Sequence, residues 1–264
     1  MEINAIILAA ASISGLGLIL GLGLGYAGKK FEVSEDFRLG EIVSVLPGAN
    51  CGGCGYAGCE AFAAAVLAGE AKIDGCGVNS PEGMQKISDI MGIKVIPSDK
   101  QTAYIKCGGG FSNSSYKYDY SGIKDCKAMA YLTGGGAKAC SFGCLGGGSC
   151  AKVCMFDAME MHDGVAVIDK EKCTACGVCV DKCPKRLIGF KPYGNAVSIC
   201  CNSGDSGKFV KSVCEVGCIG CKICEKICKF GAVCVEGGAA VIDYGRCCGC
   251  GVCVKKCPTG AVVM

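Results

Sequence analysis

Two cysteine runs near the end of the chain share one spacing, CxxCxxCxxxCP, in which the last cysteine precedes a proline. The runs are Cys173, Cys176, Cys179, Cys183 and Cys247, Cys250, Cys253, Cys257. In this spacing three thiolates of one loop bind one cubane iron–sulfur cluster, and the fourth thiolate binds a neighbouring cluster. The chain is therefore predicted to fold around [4Fe–4S] clusters, and such clusters favour a function in electron transfer.

The two runs lie in duplicated segments. Cys154 precedes Cys173 by the same interval that separates Cys228 from Cys247, and the copies are displaced by 74 residues. An alternating segment in each copy surrounds a tight-turn sequence, which predicts a β-hairpin between two cysteine loops. The two turns are Asp163-Gly164 and Gly237-Gly238. Two cysteine loops joined by a hairpin are the plan of bacterial two-cluster ferredoxins, and this plan predicts an α+β fold.

The ferredoxin plan divides the cysteines of two tandem modules, residues 139–195 and 196–264, among four [4Fe–4S] clusters. The expected sets in the second module are Cys218, Cys221, Cys224 with Cys257, and Cys247, Cys250, Cys253 with Cys228. The expected sets in the first module are Cys173, Cys176, Cys179 with Cys154, and Cys140, Cys144, Cys150 with Cys183. The last set is the least regular, because the spacing of its first run is stretched.

A smaller 4Fe–4S domain is predicted over residues 31–80. Its expected ligands are Cys51, Cys54, Cys59 and Cys76. Glycines among the first three let the backbone wrap closely around a ligand. The segment EAFAAAVLAG after Cys59 is a good helix former, so the third thiolate is expected at a helix N-terminus, where the helix dipole favours negative charge.

Residues 81–138 are predicted to connect the cluster domains, beginning with a helix near Pro81–Met91. The five expected clusters use twenty of the 27 cysteines, and the other seven are Cys107, Cys126, Cys200, Cys201, Cys214, Cys234 and Cys248. Cys234 and Cys248 are interpreted as small buried side chains or free thiols.

A sixth set of four thiolates is available among the remaining cysteines, so five or six clusters are expected. The set would combine Cys107, Cys126 and Cys214 with Cys201, or with Cys200 in its place. The alternative for each of these cysteines is the same small buried side chain or free thiol.

Residues 1–30 are predicted to form a single transmembrane anchor. No charged residue lies between Ile3 and Gly28, and about 20 apolar residues suffice for a helix to cross a bilayer. Lys29 and Lys30 follow the apolar segment, which places the soluble part on the cytoplasmic side of the cell membrane. The reducing cytoplasm disfavours the other interpretation of so many cysteines, a disulfide-stapled secreted scaffold.

Three glycines repeat every four residues on one face of this helix. They are Gly17, Gly21 and Gly25. Such spacing lets transmembrane helices approach closely, so the helix is expected to pack against other membrane subunits. The alternative is an anchor whose glycines face lipid.

Several other classes of site are disfavoured by the sequence. The glycines near Gly23–Lys29 satisfy nucleotide-loop patterns only superficially, because no strand precedes them. The formal net charge is +3 and no basic nucleic-acid-binding signature is visible, so no nucleic-acid partner is expected. His162 is the only histidine and adjoins a predicted turn, so it is interpreted as an exposed side chain. No arrangement of side chains indicates nucleophilic catalysis.

The order of parts resembles the B subunits of Rnf complexes over essentially the whole chain. The shared parts are a membrane anchor, the CGGCGYAGCEAFA motif with Cys76, and tandem ferredoxin modules. The resemblance implies the iron–sulfur subunit of a membrane-bound translocase, a ferredoxin:NAD oxidoreductase that transports Na⁺ or H⁺. This subunit would accept electrons from soluble ferredoxin and relay them to other membrane and flavin-bearing subunits. Met155 and Lys229 depart from the pattern, because proline often follows the last cysteine of a run.

Two other functions fit the same pattern, a polyferredoxin subunit of another membrane oxidoreductase and a scaffold for iron–sulfur storage or assembly. If the chain is a relay, we expect the C-terminal modules to receive electrons and the Cys51–Cys76 cluster to deliver them. A docking face for an acidic ferredoxin is expected among lysines near the clusters, because complementary charge steers transient redox partners. These basic residues are Lys182, Lys185, Arg186, Lys222, Lys226, Lys229, Lys255 and Lys256.

Overall fold

The structure is a computed structural model that describes residues 2–30, 36–94 and 99–264. The helices are α1 Glu2–Lys30, α2 Phe37–Val45, α3 Cys59–Leu67, α4 Pro81–Met91, α5 Cys126–Ala130, α6 Ser149–Lys152, α7 Val178–Lys182, α8 Gly207–Val213, α9 Ile223–Ile227 and α10 Val252–Lys256. The strands are β1 Gln101–Ile105, β2 Met159–His162, β3 Val165–Ile168, β4 Ile188–Pro192, β5 Ser198–Ile199, β6 Val233–Glu236, β7 Ala239–Ile242 and β8 Val262–Val263. Residues 1–40 and 41–264 form separate compact units.

Helix α1 has the length and composition that a membrane span needs. The stretch Ala11–Lys30 has 20 residues with a mean hydropathy of 1.5. Its apolar side chains from Ile13 to Leu24 are exposed, as expected for a surface that meets lipid or other apolar helices. A Cβ atom added at Gly17, Gly21 or Gly25 would meet no other atom within 4 Å, so the glycine face of this helix is open.

Two antiparallel hairpins confirm the turns that the sequence predicts. Strand β2 pairs with β3 and strand β6 pairs with β7, each over four residue pairs. Both residues of each turn have positive φ, with 48° and 72° at Asp163 and Gly164, and 57° and 96° at Gly237 and Gly238. These values match the tight two-residue turn that right-twisted strands prefer.

The two predicted helices of the N-terminal region are also present. Helix α3 begins at Cys59, so the thiol of this residue lies at a helix N-terminus. Helix α4 begins after Ser80, whose hydroxyl accepts a hydrogen bond of 3.0 Å from the Gly83 amide. Gly92 ends α4 in the left-handed conformation with φ 66°, as glycine commonly does at a helix C-terminus.

The segment interpreted as a connector contributes more than a linker. Strand β1 pairs antiparallel with β4, from Gln101 opposite Pro192 to Ile105 opposite Ile188. Thr102 on this strand is completely buried. Strands β5 and β8 pair in the same manner within the C-terminal region, with Ile199 opposite Val262. In each repeat, a strand before the first cysteine run therefore pairs with a strand after the second run.

Cysteines are part of the hydrophobic cores. The core around Val197 and Val233 includes the buried side chains of Cys218, Cys224 and Cys253. A second core around Ile188 includes Cys150, with Cys107, Cys144, Cys154, Cys173, Cys179 and Cys183 packed against it. Hairpins and short helices thus direct the thiols inward, where they line the sites described next.

Candidate metal centres

The four cysteines of the N-terminal motif line one pocket. These residues are Cys51, Cys54, Cys59 and Cys76, and Cys176 lines the same pocket. The Cys59 amide donates a 2.8 Å hydrogen bond to the side-chain oxygen of Asn50, which fixes the turn into α3. Burial raises the pKa of the Cys76 thiol, while the amides of Val78 and Asn79 donate to it and oppose that effect.

A second pocket is lined by four cysteines of the first ferredoxin-like copy, Cys154, Cys173, Cys176 and Cys179. Burial, followed by the charges of neighbouring cysteines, raises the pKa of Cys179 to about 12. The Ala158 amide donates to the Cys154 Sγ and the Ala103 amide donates to the Cys173 Sγ, both at 3.4 Å. Strand β1 thus supplies a donor to a thiol 70 residues away along the chain.

These first two pockets adjoin each other through glycines. A Cβ atom added at Gly53 would overlap the backbone carbonyl oxygen of Cys176, and one added at Gly77 would lie 2.9 Å from the carbonyl oxygen of Ala175. The lack of a side chain at both positions lets the two cysteine loops pack backbone to backbone. Cys176 lines both pockets.

The cysteines of the C-terminal copy converge around the core of that copy. Burial raises the pKa of Cys224 to about 11, and the nearby charges of Cys218 and Cys221 act in the same direction. At Cys257 burial is outweighed by amide donors, of which Thr259 and Val262 are the strongest, and the pKa lies below its ordinary value. Cys221 and Cys250 are exposed, so this end of the molecule presents thiols at the surface.

The structure places Cys126 beside Cys150. The amide of Cys126 donates a 2.8 Å hydrogen bond to the hydroxyl of Ser149, which in turn donates at 2.9 Å to the carboxylate of Asp125. Burial raises the pKa of Cys150 to about 12, and the charges of Cys144, Cys126 and Cys183 contribute to the rise. These four cysteines therefore form one neighbourhood.

A further pocket is lined by Cys107, Cys140, Cys200, Cys201 and Cys214. Burial raises the pKa of Cys214, and the charges of Cys107 and Cys140 add to this effect. The ammonium group of Lys138 also lies at this pocket and donates to the carbonyl oxygen of Gly109. Lys138 is only 4% exposed.

Two cysteines thus differ from their expected neighbours. The spacing groups Cys140 with Cys144, Cys150 and Cys183. In the structure, Cys140 instead lines the same pocket as Cys107 and Cys214. The sixth set groups Cys126 with Cys107 and Cys214, yet it lies with Cys150. The physical reason is a backbone ladder that holds the residues before Cys140 and Cys214 together across a strand-like connector segment.

The ladder consists of three hydrogen bonds around Ser115. The Ser115 amide donates to the carbonyl oxygen of Val213 at 2.8 Å, and the Ala139 amide donates to that of Ser115 at 2.9 Å. The Lys117 amide continues the pattern by donating to Ala137 at 2.7 Å. Cys140 and Cys214 directly follow two of these bonded residues, so they emerge on the same side of the pocket.

His162 ends β2 at an exposed position, as expected. Cys248 is exposed, so the interpretation of this residue as a buried side chain is wrong and that of a free thiol is left. The thiol of Cys234 on β6 is 3.4 Å from the carboxylate of Glu236. Within residues 2–30, 36–94 and 99–264, no three His, Cys, Asp or Glu side chains converge tightly enough to hold a single metal ion. Thiols spread around a pocket can bind a metal cluster, which is larger than a single ion. Thiolates are soft ligands, and they are the usual ligands of iron–sulfur clusters.

Comparisons with known families match three of these regions. Residues 46–78 match the FeS family of iron–sulfur cluster domains. Residues 166–188 and 240–263 match the 4Fe-4S binding domain family.

Comparisons with individual proteins cover nearly the whole chain. The B subunit of the Na(+)-translocating ferredoxin:NAD(+) oxidoreductase complex of Acetobacterium woodii is 41% identical over 92% of this chain and 73% of its own length. The B subunit of the ion-translocating oxidoreductase complex of Methanosarcina acetivorans is 41% identical over 91% of both chains. The B subunit of the proton-translocating ferredoxin:NAD(+) oxidoreductase complex of Clostridium ljungdahlii is 40% identical over 91% of this chain and 85% of its own length.

The chain belongs to the family of Rnf B subunits. As a member of this family with 4Fe–4S domains, it is an iron–sulfur electron-transfer protein. The family matches contain Cys51–Cys76 and the two CxxCxxCxxxCP runs. Cys107, Cys126, Cys140 and Cys214 lie outside all three matched segments. A signal for Cys140 is nonetheless present in the sequence, because the 74-residue displacement of the repeat aligns it with Cys214.

Proposed function

We propose that this chain is the multi-cluster relay of a membrane-bound, ion-translocating ferredoxin:NAD oxidoreductase. It accepts electrons from reduced ferredoxin and passes them to membrane and flavin-bearing subunits. The observation that carries the proposal is the unbroken series of neighbouring cysteine sets within residues 41–264. The names of the relatives from Acetobacterium woodii and Clostridium ljungdahlii support the reaction assigned to the complex.

Bound [4Fe–4S] clusters would supply one-electron storage at each set. The chain's own residues hold the thiols, set the spacing between sets and donate hydrogen bonds to sulfur. Such hydrogen bonds, together with net charge and solvent exposure, tune reduction potentials. The amides that donate to the thiols of Cys154, Cys173 and Cys183 at 3.4 Å are of this kind.

The proposed ligand sets at the two ends of the series follow the sequence-derived assignment. At one end are Cys51, Cys54, Cys59 and Cys76. At the other end are Cys218, Cys221, Cys224 with Cys257, and Cys247, Cys250, Cys253 with Cys228, in tandem with the first ferredoxin-like copy. The pocket lined by Cys154, Cys173, Cys176 and Cys179 adjoins the N-terminal set and supports a fourth assignment.

We assign the acceptance of electrons to the C-terminal copy. Its thiols Cys221 and Cys250 reach the surface, and a solvent-accessible site is what a soluble donor requires. Exposed lysines lie at the start of α9, on α9 and on α10, namely Lys222, Lys226, Lys255 and Lys256. Their positive charge complements an acidic ferredoxin.

We assign delivery of electrons to the Cys51–Cys76 set. This set is the nearest to α1 in sequence, and α1 is apolar enough to anchor the chain in the membrane. Lys29 and Lys30 at the end of α1 support a cytoplasmic location of the cluster-bearing unit. Ion translocation and NAD reduction are assigned to partner subunits.

The variant Cys54→Ala tests the direction of transfer in the purified complex. It should leave the C-terminal clusters reducible by ferredoxin, because their ligands are intact, while electron delivery to NAD falls to background. Cys234→Ala is the matched control, because this thiol lies on a hairpin outside the proposed ligand sets. Stopped-flow reduction of the clusters and NADH formation are measured in parallel.

Other outcomes would point elsewhere. Loss of ferredoxin oxidation in Cys54→Ala would contradict the proposed direction. Purification with hydrogenase or heterodisulfide-reductase-like subunits, without flavin and NAD-binding partners, would favour another membrane oxidoreductase. Transfer of intact clusters to apo-proteins, in place of redox cycling, would favour a storage or assembly scaffold.

A further inference from the structure

The pocket lined by Cys107, Cys140 and Cys214 lies between the two ferredoxin-like copies and follows their repeat. Cys140 and Cys214 are displaced by 74 residues, as are the corresponding cysteines of the runs that follow them. They occupy the same position relative to Cys144 and Cys218, the first cysteines of the two inner runs. Each copy therefore contributes one equivalent thiol to this pocket.

Cys107 and Cys201 form a second equivalent pair. Each lies two residues after a strand, β1 or β5, that pairs with an equivalent strand of its copy. The residues before them make the same bond, since the amide of Lys106 donates to Leu187 at 2.7 Å and that of Cys200 donates to Ala261 at 2.8 Å. The backbone positions of Cys107 and Cys201 are therefore equivalent.

The hydrogen bonds to the sulfur atoms of Cys107 and Cys201 are equivalent as well. The Cys107 Sγ accepts a 3.3 Å hydrogen bond from the amide of Cys144. The Cys201 thiol accepts a hydrogen bond from the amide of Cys218, which is the repeat equivalent of Cys144. Cys200 also lines the pocket and lies near Cys107 and Lys191, but its equivalent in the first copy is Lys106, which is not a thiol. Cys201 is thus the fourth thiol related to the other three by the repeat.

The buried ammonium of Lys138 provides an independent indication of what this pocket binds. Lys138 lines the pocket at 4% exposure. The ion pairs among the described residues involve Arg38, Lys170 and Arg246, so none compensates Lys138. A buried charge requires a partner, and a cubane cluster held by four thiolates is a net anion. The pocket therefore combines four soft donors with a cation placed for a negative group.

The repeat also accounts for Cys126. The C-terminal equivalent of Gly147 is Cys221, so the first copy lacks one ligand in its inner run. A Cβ atom added at Gly147 would lie 2.9 Å from the amide nitrogen of Cys126. Cys126 thus occupies the place where the missing side chain would be, next to Cys150.

We propose that Cys107, Cys140, Cys201 and Cys214 bind a sixth [4Fe–4S] cluster between the two copies, and that Cys126 completes the set of Cys144, Cys150 and Cys183. The inference rests on the proposed function only in taking these cysteines as cluster ligands. Together with the four sets already assigned, it accounts for 24 of the 27 cysteines. Cys200, Cys234 and Cys248 are left as free thiols.

Paired alanine variants of the full chain test which cysteines share a cluster. The wild-type chain, purified anaerobically, should hold about 24 irons, and each lost cubane removes about four. Cys140→Ala with Cys214→Ala should remove about four irons, no more than either single variant, because the two share one cluster. Cys126→Ala with Cys214→Ala should remove about eight. Cys201→Ala should remove about four, whereas the neighbouring control Cys200→Ala should remove none.

The opposite pattern overturns the inference. Loss of about four irons in the Cys126–Cys214 pair and about eight in the Cys140–Cys214 pair would restore the grouping expected from the sequence. A Cys214→Ala chain with unchanged iron would eliminate the sixth cluster. Reduction of the remaining clusters by ferredoxin tests the proposed function separately. If the iron counts contradict the ligand assignment while this reduction persists, the assignment fails and the proposed function stands.

A second measurement avoids substitutions altogether. During partial cluster loss under a chelator, thiols freed from one cluster become reactive to iodoacetamide together, and mass spectrometry identifies them. Cys140 should be alkylated in step with Cys214, and Cys126 in step with Cys150. Alkylation of Cys126 in step with Cys107 would refute the assignment even where a paired variant does not fold.

Discussion

At the scale of single residues, Lys138 is a buried cation that belongs to none of the ion pairs among the described residues. Its ammonium group donates to the carbonyl oxygen of Gly109 and lies 5.6 Å from the centre of the Tyr116 ring. A buried ammonium group stabilises the more negatively charged state of a group bound next to it. Reduction adds one negative charge, so Lys138 should raise the reduction potential of a cluster bound at this pocket.

The variant Lys138→Met should lower that potential. At an effective dielectric constant near 20, loss of one charge at close range is worth on the order of 1–4 kcal/mol. For a one-electron couple this corresponds to a shift of tens of millivolts or more. Lys117→Met is the matched control, because Lys117 is exposed and also donates to a glycine carbonyl oxygen. Redox titration followed by electron paramagnetic resonance should show one component shifted only in Lys138→Met.

Residues whose roles depend on neighbouring sequence could be predicted, and those that depend on distant pairing could not. The turns at Asp163-Gly164 and Gly237-Gly238 and the position of Cys59 at the start of α3 follow from local sequence, and the structure confirms them. The neighbours of Cys140 and Cys126 depend on hydrogen bonds from Ser115 and Ser149 to other segments. Spacing within one run carries no information about such contacts.

At the scale of structural elements, the contact between the Gly53 loop and the Cys173–Cys179 loop determines how closely two cysteine sets approach. The loops meet backbone to backbone at Gly53 and Gly77. Strand β1 was not predicted from the sequence, because its partner β4 lies more than 80 residues away. The two strands pair only once the segments between them have folded, whereas the strands of a hairpin pair through a short turn.

A methyl group at Gly53 should separate the two loops. In Gly53→Ala the new Cβ overlaps the Cys176 carbonyl, and overpacking of this kind typically costs about 1–3 kcal/mol. Gly194→Ala is the control, because an added Cβ there meets no atom within 4 Å. We expect a lower melting temperature and slower transfer between the two sets in Gly53→Ala, measured by calorimetry and by flash-induced reduction. Equal behaviour of the two variants would contradict this role of the contact.

Helix α10 carries the lysines expected to meet ferredoxin. Lys255→Glu with Lys256→Glu should reduce the rate of ferredoxin oxidation about tenfold or more at low salt, since steering raises association rates by 10–10³. The effect should fade at high salt. Lys124→Glu with Lys127→Glu changes net charge equally at exposed positions near α5 and serves as the control. An unchanged low-salt rate in the α10 variant would refute the docking face.

At the scale of the whole molecule, thiols take the place that large apolar side chains hold in most cores. The largest fully buried side chains are few, namely Phe62, Ile42, Ile87, Val66, Val197, Thr102 and Ser203. Three cysteines belong to the core of the C-terminal copy. Metal binding and folding are coupled when ligands converge only in the folded state. The cluster-bearing unit is therefore expected to depend on its clusters for stability.

Removal of the clusters should lower the melting temperature, and more strongly at high pH. Burial raises the pKa of Cys150 and Cys179 from 9.0 to about 12. The protonated thiols stabilise the cluster-free fold below pH 9, and this contribution is lost as pH rises toward 12. Ligation releases those protons, so cluster binding strengthens over the same range. Circular dichroism melts before and after chelation, at pH 7.5 and pH 9.5, should show a larger difference at pH 9.5.

The two copies supply a thiol at the same place in different ways, because Gly147 stands where the second copy has Cys221. Cys107 and Cys140 are 33 positions apart, whereas the equivalent Cys201 and Cys214 are 13 apart, and the longer interval contains Cys126. The longer interval of the first copy thus brings the Cys126 thiol to the place that Cys221 holds in the second copy. Equivalent places in the two copies are reached from different parts of the chain, in one copy by the cysteine run itself and in the other by the segment before it.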